Sequence, residues 1–139
     1  MAKPDFSGTW EFNPAKSALQ ITAPDSTVFT IDHRDPLLRL ARTHVAGQTR
    51  DTFELELTTD GKEVSVTKDD LRLRSRAHWD GETLVFETML TRAGEEGTNL
   101  VRYTLDDSGD SFVADEQFRS QKLSYDNRWV MDRMPGARR

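Results

Sequence analysis

The chain has 139 residues, a length that suits one domain around a single core. Its formal net charge is −5, and it lacks the basic excess with which proteins bind nucleic acid or anionic lipid, so we expect no nucleic-acid partner. It contains no cysteine, which excludes disulfides, thiol catalysis and cysteine-based zinc sites.

Apolar and polar residues alternate along most of the chain, and turn residues interrupt this alternation every ~8–12 residues. The pattern predicts an all-β protein with short strands. The predicted strands cover residues 7–12, 27–33, 37–45, 52–58, 63–68, 71–79, 83–91, 98–105, 111–118 and 122–132. The connection over residues 13–26 has room for one helical turn at most, so we expect a short or absent helical lid.

Short links between these strands predict a meander of antiparallel neighbours. Asp60-Gly61 and Asp80-Gly81, for example, are typical of tight hairpin turns. Closing the meander removes its two exposed edges. We therefore predict a single closed antiparallel up-and-down β-barrel of about 8–10 strands. It would occupy residues 1–139 as one domain, with flexible ends at residues 1–5 and 133–139. A two-sheet sandwich of the same strands is the competing architecture.

Several segments resemble the calycin superfamily. Residues 5–10 (Asp-Phe-Ser-Gly-Thr-Trp) resemble the Phe-x-Gly-x-Trp opening of fatty-acid-binding proteins and the Gly-x-Trp opening of lipocalins. Residues 78–86 (His-Trp-Asp-Gly-Glu-Thr-Leu-Val-Phe) resemble a hairpin of fatty-acid-binding proteins. Residues 8–10 and 13–17 are also similar to bacterial lipocalin-like domains. The resemblance implies a barrel that is closed at one end by Trp10 and holds a small ligand inside.

The sequence departs from fatty-acid-binding proteins at two places. Those proteins carry a helix-turn-helix lid between their first two strands, and residues 13–26 are too few for it. The Arg-x-Tyr pair with which that family binds a carboxylate is replaced here by residues 125–129 (Tyr-Asp-Asn-Arg-Trp). These departures indicate a more open mouth and an incomplete carboxylate anchor.

Arg102 is the first candidate for ligand binding. It alternates in phase with Leu100 and Thr104, which we interpret as the inward face of its strand. A buried guanidinium needs a carboxylate partner or an anionic ligand. Glu116 on the next strand is a candidate partner, and the resemblance places Arg102 at an arginine that binds the ligand's carboxylate. The alternatives are an internal Arg102–Glu116 pair without ligand, or a strand phase that points Arg102 outward.

A second set of candidates forms an aromatic and polar lining. In the last strand, Tyr125, Asn127 and Trp129 alternate with a clearly polar set, which favours an inward phase. Phe86, Thr88 and Phe112 alternate inward on other strands. Aromatic walls with a few placed polar groups suit an amphipathic small molecule. The alternative interpretation is an ordinary barrel core.

The strand at residues 37–45 has two possible phases. If Leu38 and Leu40 face inward, so do Arg42 and His44. If Leu37 faces inward instead, so does Arg39, and the sequence leaves both phases open.

The leading functional hypothesis is a carrier for a small hydrophobic or amphipathic ligand, such as a fatty acid or another carboxylate. An enzyme that uses inward Arg, Glu and Tyr residues, or an interaction module with a filled barrel, are the competing hypotheses. The three histidines lack metal-ligand spacing, so we expect no metal and no cofactor. We further expect a monomer or weak homodimer.

Hydropathy gives the remaining expectations. No apolar run approaches the ~18 residues of a membrane span, so we expect no membrane insertion. The N-terminus has no hydrophobic signal segment, which favours the cytoplasm, although a chain trimmed of a secretion signal would have the same sequence.

Overall fold

The computed structural model describes residues 3–134, which form one ten-stranded antiparallel sheet. The strands are β1 (Gly8–Phe12), β2 (Ser26–Arg34), β3 (Leu37–Ala46), β4 (Thr49–Thr58), β5 (Val64–Lys68), β6 (Leu71–Asp80), β7 (Thr83–Arg92), β8 (Glu95–Leu105), β9 (Ser111–Ser120) and β10 (Ser124–Arg133). Every predicted strand is present, with ends shifted by a few residues. Between residues 3 and 134 there is no helix, and so none that could span a membrane.

The sheet follows the predicted meander and curls into a nearly closed barrel. Its strand order is β4-β3-β2-β1-β10-β9-β8-β7-β6-β5, so the first and last strands pair, with Trp10 opposite Arg133. The all-β up-and-down barrel is therefore confirmed. Closure is incomplete at one seam, because within residues 3–134 no ladder joins the edge strands β4 and β5.

One side chain bridges this seam. Lys68 at the end of β5 lies 3.0 Å from the Asp51 carboxylate and donates a second hydrogen bond of 2.7 Å to the carbonyl oxygen of Thr52 on β4. The two contacts hold the edges together where a backbone ladder is missing, and they satisfy edge groups that would otherwise face solvent.

The barrel is plugged at the end where β1 begins. Trp10 is fully buried, its indole Nε1 donates to the Phe6 carbonyl oxygen at 2.9 Å, and its ring packs edge-on against Phe112 at 4.9 Å. The Arg133 guanidinium lies 4.2 Å from the Trp10 ring centroid and passes over Gly8, where any Cβ would collide with it. The opening Phe-x-Gly-x-Trp segment therefore folds as the plug that the resemblance implied.

The opposite end of the barrel is the mouth. The connection at residues 13–25 and the turns β3–β4, β5–β6, β7–β8 and β9–β10 all lie there, because consecutive turns of a meander alternate between its ends. Ala18 in the long connection forms an isolated bridge to Arg128, and residues 14–16 make a turn rather than a helix. The mouth consequently has a short strap instead of a helical lid.

Of the ends that we expect to be flexible, residues 1–2 and 135–139 lie outside the described residues. Inside them, Lys3 donates to the Gly81 carbonyl oxygen at 2.9 Å, and Arg133 is the last residue of β10. Flexibility of the ends stays a prediction.

Candidate functional site

The structure settles the phase of β3. Leu38 is 1% exposed and Leu40 packs against the core, so the inward face of β3 continues to Arg42 and His44. Pairing with β2 enforces this phase, since Leu40 lies opposite the buried Ile31. Of the two phases that the sequence left open, the one that brings a guanidinium and an imidazole into the barrel is correct.

The predicted phase of β8 is wrong, and Arg102 lies on the outer surface. Its side chain is 47% exposed, and its Nη1 lies 3.3 Å from the Asp80 carboxylate. The inward residue is its neighbour Tyr103, which is 6% exposed and packs on Phe86 at 4.7 Å and Phe112 at 4.8 Å. Burying the Tyr103 ring removes a large apolar surface from water, whereas an inward Arg102 would have to lose its hydration.

The corrected phase of β8 places Asn99 and Val101 inside the barrel, beside a small inner cavity. This inner cavity has a volume of about 110 Å³. Its polar lining is Arg42, His44, Asn99, Tyr103, Glu116 and Trp129, and its apolar lining is Phe29, Val101 and Ala114. Two of the predicted site residues, Glu116 and Trp129, therefore line the cavity, opposite the two side chains that β3 brings inward.

Glu116 is the centre of the hydrogen bonding around this cavity. Its Oε1 accepts from the Asn127 amide and from the Trp129 indole Nε1, each at 2.9 Å. Its Oε2 accepts from the Asn99 amide, also at 2.9 Å. Strands β8, β9 and β10 are thus linked through one carboxylate. Asn127 does not line the cavity; it positions Glu116 and also accepts a hydrogen bond of 2.8 Å from the Gln20 backbone N–H in the strap.

His44 is held between two partners. Its Nδ1 lies 2.6 Å from the hydroxyl oxygen of the fully buried Thr27, and its ring stacks on Trp129 with centroids 5.9 Å apart. Burial, and after it the neighbouring Arg42 guanidinium, lower the pKa of His44 to about 4. The imidazole is therefore neutral at neutral pH, and it brings hydrogen-bonding capacity without charge.

Two polar atoms at the inner cavity lack a partner among residues 3–134. Arg42 Nε is buried without a hydrogen-bond acceptor, although its Nη2 lies 3.9 Å from the Asp51 carboxylate and its guanidinium stands 5.4 Å from the Phe53 ring. Asn99 Oδ1 is buried without a donor. Most buried polar groups in native proteins are paired, so an orphan donor and an orphan acceptor beside one cavity make it a candidate binding site.

A larger cavity of about 430 Å³ opens at the mouth, next to the inner one. Leu71, Leu90 and Phe118 form its apolar wall. Its rim includes Arg92 and the ion pair between Lys122 and Glu95. Glu116 and Phe118 are successive inward residues of β9, which places the mouth cavity one step toward solvent from the inner cavity.

Phe118 separates the two cavities. Its ring stacks on Tyr125 with centroids 5.0 Å apart and covers Gly97, where a Cβ would lie only 3.0 Å from Phe118 Cζ. Gly97 therefore makes room for this ring. Tyr125, predicted as a ligand contact, supports Phe118 and lines neither cavity; burial, followed by the charge of Glu116, raises the pKa of its hydroxyl.

The other predicted contacts lie away from the inner cavity. Phe86 and Phe112 are buried in the aromatic cluster nearer the plug. Thr88 faces inward and its hydroxyl lies 2.9 Å from that of the buried Ser75. Asn99 is the residue that sequence reasoning missed; the alternating apolar positions Val101, Tyr103 and Leu105 were the signal that could have indicated its phase.

Comparison with known proteins agrees with this geometry. No family model and no curated protein matches the sequence. Solved structures do match: secretory abundant heat soluble protein 4 from Ramazzottius varieornatus has 14% identity and a TM-score of 0.61 over 96% of this chain and 99% of that one. A mutant of the fluorescent protein UnaG has 17% identity and a TM-score of 0.57, covering 93% and 96% of the two chains.

A fatty acid binding protein from Schistosoma mansoni, solved with arachidonic acid, has 10% identity and a TM-score of 0.53, over 93% of this chain and 96% of that one. A zebrafish ileal bile acid-binding protein, solved with cholic acid, has 11% identity and a TM-score of 0.56, over 93% and 98%. At these identities the likeness concerns the fold. The chain therefore has the calycin fold in its fatty-acid-binding-protein-like form, a small β-barrel with an internal cavity.

Proposed function

We propose that the protein binds and carries a small hydrophobic or amphipathic molecule inside its barrel. The observation that carries this proposal is the inner cavity, which combines apolar walls with a few convergent polar groups, two of them unpartnered. Ligand sites in proteins characteristically have this composition. The ligand-bearing structures of the same fold, with cholic acid and with arachidonic acid, support the proposal.

The two cavities suggest how such a ligand would lie. The inner cavity of about 110 Å³ has room for a small polar head group. An apolar tail would extend past Phe118 into the mouth cavity. Arg102 has no part in this arrangement, because it stands on the other side of the wall.

The polar end of the ligand would meet the predicted site residues Glu116 and Trp129 together with Arg42 and Asn99. Asn127 and Tyr125 would act through their neighbours, by holding Glu116 and Phe118 in place. Phe86, Thr88 and Phe112 would not contact the head group, because they do not line the inner cavity. This set of contacts modifies the one that the sequence predicts.

The test is an NMR titration of the indole N–H signals. Trp129 lines the inner cavity, whereas Trp10 and Trp79 pack at the plugged end, so one spectrum contains the probe and two internal controls. The protein, stripped of lipid by organic solvent, is titrated with decanol and with decanoate. A saturable shift confined to Trp129 with either compound supports a carrier.

If neither compound moves the Trp129 signal, and extraction of the freshly purified protein releases no apolar molecule, the carrier proposal is overturned. The filled-barrel interaction module would then be the better description, since the aromatic cluster around Phe6, Tyr103 and Phe112 already occupies much of the interior.

A further inference from the structure

The charges that face the inner cavity cancel. Arg42 contributes one positive charge and Glu116 one negative charge, while His44 is neutral at neutral pH. The other charged group near Arg42 is Asp51, whose side chain is 52% exposed and does not line the cavity. A carboxylate head group would add an uncompensated negative charge beside Glu116 in this partly buried cavity, which is costly. An uncharged head group preserves the balance.

Hydrogen bonding specifies that head group further. Glu116 accepts from the Asn99 amide nitrogen, and because a carboxylate can only accept, the orientation of the Asn99 amide is determined and its oxygen is the unpartnered atom. Arg42 Nε, by contrast, is an unpartnered donor. Within residues 3–134, the buried unpartnered atoms beside the cavity are therefore one donor, Arg42 Nε, and one acceptor, Asn99 Oδ1.

From these two observations we infer that the head group bound in the inner cavity is an uncharged group with both a hydrogen-bond acceptor and a donor, of which a carboxamide is the simplest. Its carbonyl oxygen accepts from Arg42 Nε, and its N–H donates to Asn99 Oδ1. This inference rests on the proposed carrier function and specifies its ligand class. It replaces the carboxylate that the sequence suggested, whose anchor was Arg102.

The head-group test compares three compounds with the same carbon chain at pH 7.5: decanamide, decanoate and methyl decanoate. The dissociation constant of each is measured from the Trp129 indole shift. We expect decanamide to bind at least about tenfold more tightly than decanoate, because only decanoate brings a charge. We expect methyl decanoate, which can accept but not donate, to bind roughly fivefold more weakly than decanamide, the value of one net hydrogen bond.

The Glu116→Gln variant should reverse the preference between decanamide and decanoate. Its cavity carries one net positive charge, and the Asn99 amide can rotate so that its oxygen accepts from the new glutamine, which leaves an N–H donor beside Arg42. Two donors and a positive charge suit a carboxylate. We expect this variant to bind decanoate more tightly than decanamide, with unchanged Trp10 and Trp79 signals as the check on folding.

The inference is overturned if decanoate binds the native protein as tightly as decanamide, or if Glu116→Gln keeps the native preference. In both cases the observed binding would still support the carrier function. If none of the three compounds shifts Trp129, the inference and the carrier function fall together.

Discussion

The Glu116 carboxylate accepts a hydrogen bond of 2.9 Å from the indole of Trp129 on the adjacent strand, inside the barrel. The amides of Asn99 and Asn127 complete its set of donors. A carboxylate with three N–H partners is a strongly satisfied acceptor, so it can stand half-buried in the lining of the barrel. This group stabilises the wall of the cavity and sets its electrostatic character at the same time.

Removing the carboxylate should destabilise the fold. In Glu116→Leu the buried Asn127 amide and the half-buried Asn99 amide and Trp129 indole lose their acceptor, and we expect a loss of about 3 kcal/mol in the free energy of unfolding. Urea denaturation measures it. Glu54→Leu is the matched control, because Glu54 is exposed on β4 and its substitution should change stability by less than about 0.5 kcal/mol. Equal effects for both variants would contradict a structural role of Glu116.

Acid should destabilise the protein through His44. In the unfolded chain this imidazole takes up a proton near its ordinary pKa of 6.5, whereas in the folded protein it does so only at about 4. The unfolded state thus binds more protons in this window, and stability falls as the pH falls through it. We expect the free energy of unfolding to fall by about 1–2 kcal/mol across this window, after allowance for the partial exposure of the ring.

The measurement is the free energy of unfolding in urea between pH 7 and pH 4. His44→Gln should flatten the curve in that range. His78→Gln should leave it parallel to that of the native protein, since the His78 side chain is 42% exposed. A His44→Gln curve with the native slope would show that other groups cause the acid sensitivity.

Filling the inner cavity should abolish binding without unfolding the protein. Ala114 lines the inner cavity, and a methionine there would occupy much of its volume. We expect Ala114→Met to remove the Trp129 response to decanol, at a cost in stability of about 1–3 kcal/mol for overpacking. Ala77→Met is the control, because Ala77 is fully buried but does not line that cavity. Retained binding in Ala114→Met would place the ligand elsewhere.

Substitution of Arg102 should leave ligand binding unaffected. Arg102 pairs with Asp80 on the outer surface, where an ion pair contributes little. We expect Arg102→Gln to change the dissociation constant for decanoate by less than about twofold and the stability by less than about 0.5 kcal/mol. A loss of affinity for decanoate of about tenfold or more in the same NMR titration would instead support the inward orientation that the sequence favoured.

At the plugged end, Asp35 should contribute to stability. Its Oδ1 accepts from the Thr59 hydroxyl at 2.8 Å and the Trp79 indole at 3.0 Å, and it lies 3.1 Å from His33 Nε2. Burial raises the pKa of Asp35, but these hydrogen bonds outweigh it and hold the pKa below its ordinary value of 3.8. The contribution is therefore present above that pH and is lost as the pH falls through the lowered pKa.

We expect Asp35→Ala to cost roughly 1–3 kcal/mol at pH 7, because buried donors lose their acceptor. Asp32→Ala, two strand positions before β2 ends, is the control; its side chain is 52% exposed and should contribute less than about 0.5 kcal/mol. Thermal unfolding at pH 7 and at pH 3 measures the difference in stability between the native protein and Asp35→Ala. This difference should shrink at the lower pH. A constant difference would argue against the ionised carboxylate as its source.

The sequence by itself determined the wall of the barrel. Alternation and turn residues are local properties, so they predicted all ten strands and their antiparallel order. The plug at Trp10 was implied by the resemblance of residues 5–10 to the opening segment of known barrels. Alternation also placed Trp129 on the inner face, because the alternate residues Asp126 and Arg128 are plainly polar. It placed Glu116 there as well, in phase with Phe112 and Phe118.

Only the tertiary structure decided what faces the ligand space. On β8 both faces mix apolar and polar residues, and the sequence favoured the phase with Arg102 inward. The packing of Tyr103 on the Phe86 and Phe112 rings selects the other phase. On β3 the buried Ile31 of the neighbouring strand selected the phase. Strand alternation defines two faces, and long-range packing chooses which of them is buried; here that choice put Arg42 inside the barrel and Arg102 outside it.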